Sequence, residues 1–228
     1  MSAMQQMGFS DLIAPLAPAD LSALWLSRAF RLQPSTGEKR FTALLDWNTL
    51  WTLIEEGIFP PGECRITYGR RLVPPLFYAD EGKINPSRLA RLFDQNASLI
   101  ALKIEPYLPA LAAACRDAAT YGIRIAFAGV IVTMRGGGAF ETHYDPHDLI
   151  ILQVEGSKRW RIYGPRVLEP VPAPASADEI PPTTPPVLDI FLRPGDLLFL
   201  PAGFWHVCDN GPERSIHLGL FLNPPKTA

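Results

Sequence analysis

Residues 142–147 bring two metal-ligating side-chain types close together. His143 and Asp145 are separated by a single residue, so on an extended strand both side chains leave the same face. An imidazole and a carboxylate on one face can bind one metal ion, which then needs a third ligand from elsewhere in the chain.

His206 is the candidate for the third ligand. It ends the segment 194–206, in which a Pro-Gly turn, an apolar run and a second turn precede Trp205 and the histidine. Two histidines and one aspartate form the ligand set of a non-haem Fe(II) site with open coordination positions. Zinc stays an alternative, because the same donors bind it. A surface His-x-Asp pair and a hydrogen-bonded core histidine are the structural alternatives.

Lys158 follows the turn at residues 155–157, and we expect it to begin a strand that pairs back against residues 149–154. Trp160 and Ile162 then share its face by alternation. A lysine in a dry cavity needs an anionic partner, and a dicarboxylate cosubstrate would supply one. The alternative is a solvated hairpin lysine, as expected for Arg159 and Arg161.

Strand-like segments dominate the second half of the chain. Repeated short strands without intervening helices predict a β-sandwich or barrel. The first half is predicted to be a mixed, mostly helical scaffold, so we divide the chain into residues 1–122 and residues 123–228 of one compact unit. The strands are expected near 123–133, 143–146, 148–155, 158–163, 187–192, 197–200, 205–209 and 214–222.

Composition excludes several classes of protein. The formal net charge of −2 gives no global basic footprint, so direct nucleic-acid binding is not expected. Neither a signal peptide nor an apolar run of about 18 residues is visible, which predicts a cytoplasmic location and no membrane association. Eight prolines lie in residues 165–186, which predicts an extended surface loop, with a lid over the site as the alternative.

The motifs at residues 143–145, 149–163 and 194–206 closely resemble those of cupin-type JmjC oxygenases of the ribosomal-oxygenase branch. This resemblance implies a mainly β fold with α-helices, namely a double-stranded β-helix behind an N-terminal helical or mixed region. It also implies that His143, Asp145 and His206 hold Fe(II), and that Lys158 binds the distal carboxylate of 2-oxoglutarate. Members of that branch continue beyond the last strand into further domains, which this sequence is expected to lack.

The reaction implied by the resemblance is a dioxygenase reaction. Dioxygen and 2-oxoglutarate are consumed, succinate and CO₂ are released, and a protein or peptide side chain is hydroxylated, with a ribosomal protein as one candidate. The alternatives are the same chemistry on a small molecule and a non-catalytic metal-binding module. A homodimer also stays open. Further candidates for contacts with the cosubstrate are Thr133, Ser215 and His217.

One segment departs from the family pattern. Where these oxygenases carry an Asn-x-Tyr motif and a Pro-Pro-Gly turn, this chain has Gly129-Val-Ile131 and a Gly136-Gly-Gly138 run. We expect the glycine run to be a flexible turn beside the site. Because it lacks the strand–helix setting of a phosphate-binding loop, nucleotide binding is not predicted.

Overall fold

The computed structural model describes residues 7–59, 62–166 and 179–223. Within these ranges the α-helices all precede residue 120, and they are α1 Phe9–Ile13, α2 Pro18–Ser27, α3 Trp47–Glu55, α4 Pro86–Asp94 and α5 Pro109–Ala118. The strands are β1 Arg31–Gln33, β2 Cys64–Tyr68, β3 Arg71–Val73, β4 Ala79–Asp80, β5 Lys83–Ile84, β6 Ser98–Leu102, β7 Ile125–Thr133, β8 Asp148–Glu155, β9 Lys158–Pro165, β10 Leu188–Leu192, β11 Leu197–Leu200, β12 Phe204–Asn210 and β13 Ser215–Leu222.

Two antiparallel sheets face each other. The large sheet has the order β1-β11-β8-β13-β7-β6-β2-β3, and the smaller one has the order β10-β9-β12. Buried apolar side chains from both sheets pack between them, including Leu149 and Ile151 of the large sheet and Trp160 and Ile162 of the smaller one. This arrangement confirms the predicted double-stranded β-helix with an N-terminal region that contains the helices.

Strand β8 shows why the central strands read as continuous apolar runs. Its odd-numbered Leu149 and Ile151 face the smaller sheet, whereas Ile150 and Leu152 belong to the core on the opposite face. A strand that is covered on both faces has no solvent-facing positions for polar residues. Strand β9 instead alternates, with Lys158, Trp160 and Ile162 buried and the intervening arginines partly exposed.

The N-terminal half contributes directly to the large sheet. β1 pairs with β11, and β6 and β2 extend the sheet beyond β7. Side chains of the helices pack with the outer face of the sheet in one apolar cluster. Trp25 of α2 also donates a hydrogen bond through Nε1 to Asp148 at the start of β8. The division at residue 122 stays a prediction, while the two halves share a sheet and a core.

Two expectations about strands are wrong. Residues 143–146 do not form a regular strand, since His143 makes only an isolated bridge to His206 and β8 begins at Asp148. Lys158 does not start a hairpin with β8, because β9 pairs with β10 and β12 in the smaller sheet. The connection at residues 156–157 therefore crosses between the sheets, which local alternation does not distinguish from a hairpin turn.

Most of the proline-rich loop predicted at 165–186 lies outside the described residues, so neither the surface-loop nor the lid hypothesis is tested. Within the described ranges, no helix has the length and apolar character needed to cross a bilayer.

Candidate metal centre

Backbone hydrogen bonds position the three candidate ligands. The amide of His143 donates to the carbonyl of His206 at 3.0 Å, and the amide of His206 donates back at 2.7 Å. The carbonyl of Asp145 accepts from the amide of Gly203 at 2.9 Å. The segment before β8 is thereby fixed against β12, although the two segments are about sixty residues apart in sequence.

The ligand atoms of His143, Asp145 and His206 all lie within 4.8 Å of one another. Nε2 of His206 is 3.5 Å from Oδ2 of Asp145. The imidazole of His206 is buried, whereas His143 and Asp145 are partly exposed. The sequence-predicted triad is therefore brought together on the cavity side of the fold, with one ligand buried and two at a more open edge.

The hydrogen bonds of the two imidazoles suit metal binding. Nδ1 of His143 lies 2.7 Å from the carbonyl oxygen of Glu141, and Nδ1 of His206 lies 3.0 Å from that of Phe204. A carbonyl oxygen only accepts hydrogen bonds, so each Nδ1 carries the proton and each Nε2 keeps a free lone pair. This tautomer directs Nε2 of both histidines to act as ligands, so the donor set fits a divalent metal ion.

The environment of His206 favours its neutral form. Burial, followed by the neighbouring imidazole of His143, lowers the pKa of His206 to about 4. The ring of Trp160 stacks on it with the centroids 5.4 Å apart. A neutral, oriented imidazole is the form that binds metals, so the site needs no deprotonation of this residue at neutral pH.

A cavity of about 160 Å³ adjoins the three ligands. Its walls are largely apolar, and it also reaches Lys158, Cys208 and His217. The apolar lining residues are Ile100, Leu102, Ile131, Ala139, Phe140, Leu149, Ile151, Trp160 and Phe221. A dry wall around a few convergent polar groups is typical of a small-ligand site.

Lys158 is fully buried, which contradicts the solvated-lysine alternative. Its ammonium donates to Oγ1 of Thr133 at 3.0 Å and lies 3.3 Å from Nδ1 of His217. Burial lowers the pKa of Lys158 to about 8. Burial and the adjacent ammonium hold the pKa of His217 well below its usual value, so the imidazole is neutral and Nδ1 can accept from the lysine.

Thr133 and Ser215, which also belong to the predicted cosubstrate set, lie side by side. Thr133 and Ser215 are paired across β7 and β13, and both are buried. Thr133 contacts the ammonium of Lys158, whereas the hydroxyl of Ser215 accepts from Nε2 of Gln153 at 2.8 Å. The hydroxyl of Ser215 is thus engaged in a hydrogen bond within the core.

The glycine run packs tightly against the strand that carries His206. A Cβ on Gly138 would lie 2.1 Å from the carbonyl oxygen of Cys208. The amide of Asn210 donates to the carbonyl of Gly137 at 2.6 Å, and Arg70 donates to the carbonyl of Phe140. These contacts fix the segment to β12, so it is not a loose turn beside the site.

Sequence reasoning missed Arg65 as a cavity residue. It lies on β2, between the buried Cys64 and Ile66, and its side chain contributes to the cavity lining. Alternation on a short strand does predict that Arg65 faces away from its neighbours. The pairing of β2 with β6 is what places this face of β2 beside the cavity.

A double-stranded β-helix with a His-Asp-His cluster beside a buried lysine defines a class of cupin-type metal-binding protein. A family model described as the JmjC domain matches residues 111–228. The chain therefore belongs to the JmjC-domain family.

Curated relatives extend the similarity to the N-terminal half. The "Bifunctional lysine-specific demethylase and histidyl-hydroxylase NO66" of Drosophila persimilis is 28% identical over 92% of this chain, which covers 31% of that protein. "Ribosomal oxygenase 1" of Danio rerio is 41% identical over 41% of this chain and 18% of its own length. The chain thus spans about a third or less of these two relatives.

Solved structures support the fold. The X-ray structure of E. coli ycfD has a TM-score of 0.62 at 21% identity, covering 94% of this chain and 54% of that one. A structure of the E. coli ribosomal oxygenase YcfD in complex with cobalt and 2-oxoglutarate has a TM-score of 0.59 at 18% identity, covering 92% and 52% respectively.

Proposed function

We propose that this protein is an Fe(II)- and 2-oxoglutarate-dependent oxygenase that hydroxylates a side chain of a protein or peptide. The observation that carries the proposal is the presence of three candidate metal ligands and a buried lysine in one apolar cavity. The names of the relatives, which describe ribosomal oxygenases and a histidyl-hydroxylase, support the same class of substrate. A cytoplasmic location stays a prediction.

In this proposal His143, Asp145 and His206 hold the iron. A donor set of two imidazoles and one carboxylate suits a non-haem Fe(II) ion and would leave coordination positions for other ligands. Iron and 2-oxoglutarate together supply the activation of dioxygen, so that one oxygen atom enters a C–H bond and the other enters the succinate formed with CO₂. The Nδ1 hydrogen bonds to the carbonyls of Glu141 and Phe204 keep both imidazoles oriented.

Lys158 is the proposed anchor for the distal carboxylate of 2-oxoglutarate. A charge-assisted hydrogen bond to the ammonium would offset the cost of its burial. Thr133 and His217 hold the ammonium in place, and the apolar walls exclude water from the reacting groups. Ser215 is paired with Thr133 across β7 and β13 and accepts a hydrogen bond from Gln153.

Coupled turnover tests the proposal. Purified protein loaded with Fe(II) is incubated with 2-oxoglutarate, ascorbate and dioxygen, and succinate is measured with and without a ribosomal-protein fraction. We expect metal-dependent succinate formation that increases with the protein fraction, together with a mass gain of one oxygen atom on a polypeptide. Succinate formation coupled to a small-molecule product would favour the small-molecule alternative. Binding of metal without any succinate would favour the non-catalytic module.

A further inference from the structure

The large sheet continues past β7 through β6, β2 and β3. In the order of the large sheet these strands follow β7, and β3 forms the edge. Among the described residues, the smaller sheet consists of β10, β9 and β12, which pair only with one another. Ile100 and Leu102 of β6 and Arg65 of β2 line the cavity, so the cavity wall extends from β7 onto β2.

Arg65 stands on this extension. Its neighbours Cys64 and Ile66 are buried in the core on the helix side, so alternation directs Arg65 to the cavity side. It lines the cavity and is exposed to solvent, which places it at the cavity mouth. Lys158, the other Lys or Arg in the lining, is by contrast fully buried.

The guanidinium of Arg65 is available to a ligand. In the part of the chain that the structure describes, Arg65 makes no side-chain hydrogen bond and no ion pair. The nearby acidic residue Glu63 is engaged with Lys103 at 2.9 Å, and Asp209 forms ion pairs with Arg70 and Arg161. A guanidinium at the edge of an apolar wall favours a carboxylate, which it can bind through two parallel hydrogen bonds.

Leu72 provides an apolar contact on the same face. It is paired with Thr67, which shares the face of Arg65, and its side chain is 64% exposed. Val73 belongs to the opposite face, where it packs with the helix-side core, and alternation places Arg71 on that face as well. The cavity-side face of the β2–β3 hairpin thus presents one cation and one exposed leucine next to the cavity mouth.

We propose that Arg65 determines substrate specificity by pairing with an Asp or Glu carboxylate of an extended polypeptide substrate. The substrate segment lies over the β2–β3 hairpin, and one of its apolar residues contacts Leu72. A neighbouring residue of the substrate enters the cavity. This inference rests on the proposed function, because it assigns a substrate to the same site. A polypeptide fits better than a small molecule, since Arg65 is exposed at the cavity mouth and the exposed Leu72 lies outside the cavity lining, so a ligand that contacts both extends beyond the cavity.

Binding of peptides of defined charge tests this inference without requiring turnover. Protein loaded with Co(II) and 2-oxoglutarate is titrated with three fluorescent pools of random twelve-residue peptides that carry a fixed Glu, Gln or Lys pair. Fluorescence polarisation should show binding of the Glu pool about tenfold tighter than that of the Lys pool. Arg65→Glu should reverse this order, and Arg65→Gln should abolish the preference.

Arg71→Glu is the matched control, since it makes the same charge change on the same hairpin but on the opposite face. It should keep the preference of the unchanged protein, and the melting temperatures of all variants should agree. An unchanged preference in Arg65→Glu would overturn the inference, as would a lack of binding by every pool. If either of these results is obtained with a protein that forms succinate, only the inference about Arg65 is overturned and the proposed oxygenase function is retained. A charge preference that depends on Arg65 in a protein that forms no succinate would instead overturn only the proposed function.

Discussion

Lys158 shows how the surroundings of one residue define the chemistry of a site. A lysine that is excluded from water loses the hydration of its ammonium, which is costly unless another group replaces it. Here Thr133 and a neutral His217 supply two contacts, and neither carries a negative charge. The ammonium therefore keeps a strong preference for an anion, which a dicarboxylate in the adjoining cavity would satisfy.

Replacing Lys158 by Ala should weaken binding of 2-oxoglutarate by at least about tenfold, because a charge-assisted hydrogen bond is lost. Binding of Co(II) should be retained, since the three ligands are unchanged. Isothermal titration of metal and then of 2-oxoglutarate measures both effects. Arg159→Ala, which removes an exposed cation from the next position of β9, is the control. Equal affinity for 2-oxoglutarate in Lys158→Ala and the unchanged protein would contradict the role of Lys158.

Affinity for 2-oxoglutarate should also fall as the pH rises through about 8. Burial lowers the pKa of Lys158 to about 8, so the free protein carries the ammonium below that pH and the neutral amine above it. The cosubstrate is a dianion on both sides of this pH, so the dissociation constant should rise by up to about tenfold per pH unit above 8. The dependence should disappear in Lys158→Ala, and its persistence there would assign it to another group.

At the scale of elements, the segment that connects β7 to the candidate metal ligands is fixed to β12. Gly138 approaches the carbonyl of Cys208 more closely than any residue with a Cβ allows. Asn210 donates through Nδ2 to the carbonyl of Thr133 at 3.0 Å, at the other end of the same segment. Because His206 lies on β12 and His143 follows the segment, these contacts help to set the distance between two candidate ligands.

Gly138→Ala should destabilise the protein by about 1–3 kcal/mol, because the added methyl group overlaps a backbone oxygen and must displace β12 or the segment. It should also weaken metal binding, since the segment leads to His143. Urea denaturation and titration with Co(II) measure the two effects. Gly164→Ala is the control, as a Cβ there meets no atom within 4 Å. Stability equal to that of the control would show that the close approach is relieved without cost.

At the scale of the whole molecule, Asp148 connects the N-terminal helices to the strands of the site. Its buried carboxylate accepts from Nε1 of Trp25 and, at 2.8 Å, from the amide of Ala202. Arg28 also lies 3.5 Å away. Since β1, β2, β3 and β6 extend the same sheet, we expect the two halves of the chain to unfold together.

Asp148→Ala should lower the free energy of unfolding by about 3 kcal/mol, because two buried donors lose their acceptor. The loss should appear in a single transition, with tryptophan fluorescence and circular dichroism giving the same midpoint. Asp189→Ala removes a carboxylate from an exposed ion pair with Arg159 and should change the midpoint little. Separate midpoints for the two probes would instead support two independently folding parts at the boundary predicted near residue 122.

The sequence by itself determined the local features. Apolar runs and turns predicted the strands from β8 to β13 within a few residues, because side-chain periodicity and turn chemistry are encoded locally. The spacing of His143 and Asp145, and the turn pattern before His206, predicted the candidate ligand set. The resemblance of these motifs to JmjC oxygenases predicted the fold, which the structure and the family match confirm.

Only the tertiary structure decided how these features meet. Periodicity shows which face of a strand is apolar but does not show which strand pairs with it. The strand of Lys158 pairs with β10 and β12 of the smaller sheet rather than with β8. Pairings between distant segments bury that lysine and bring it into contact with Thr133 and His217. They also place Arg65 at the cavity. These pairings are set by the burial of whole sheet faces, a property of the folded chain rather than of any one stretch.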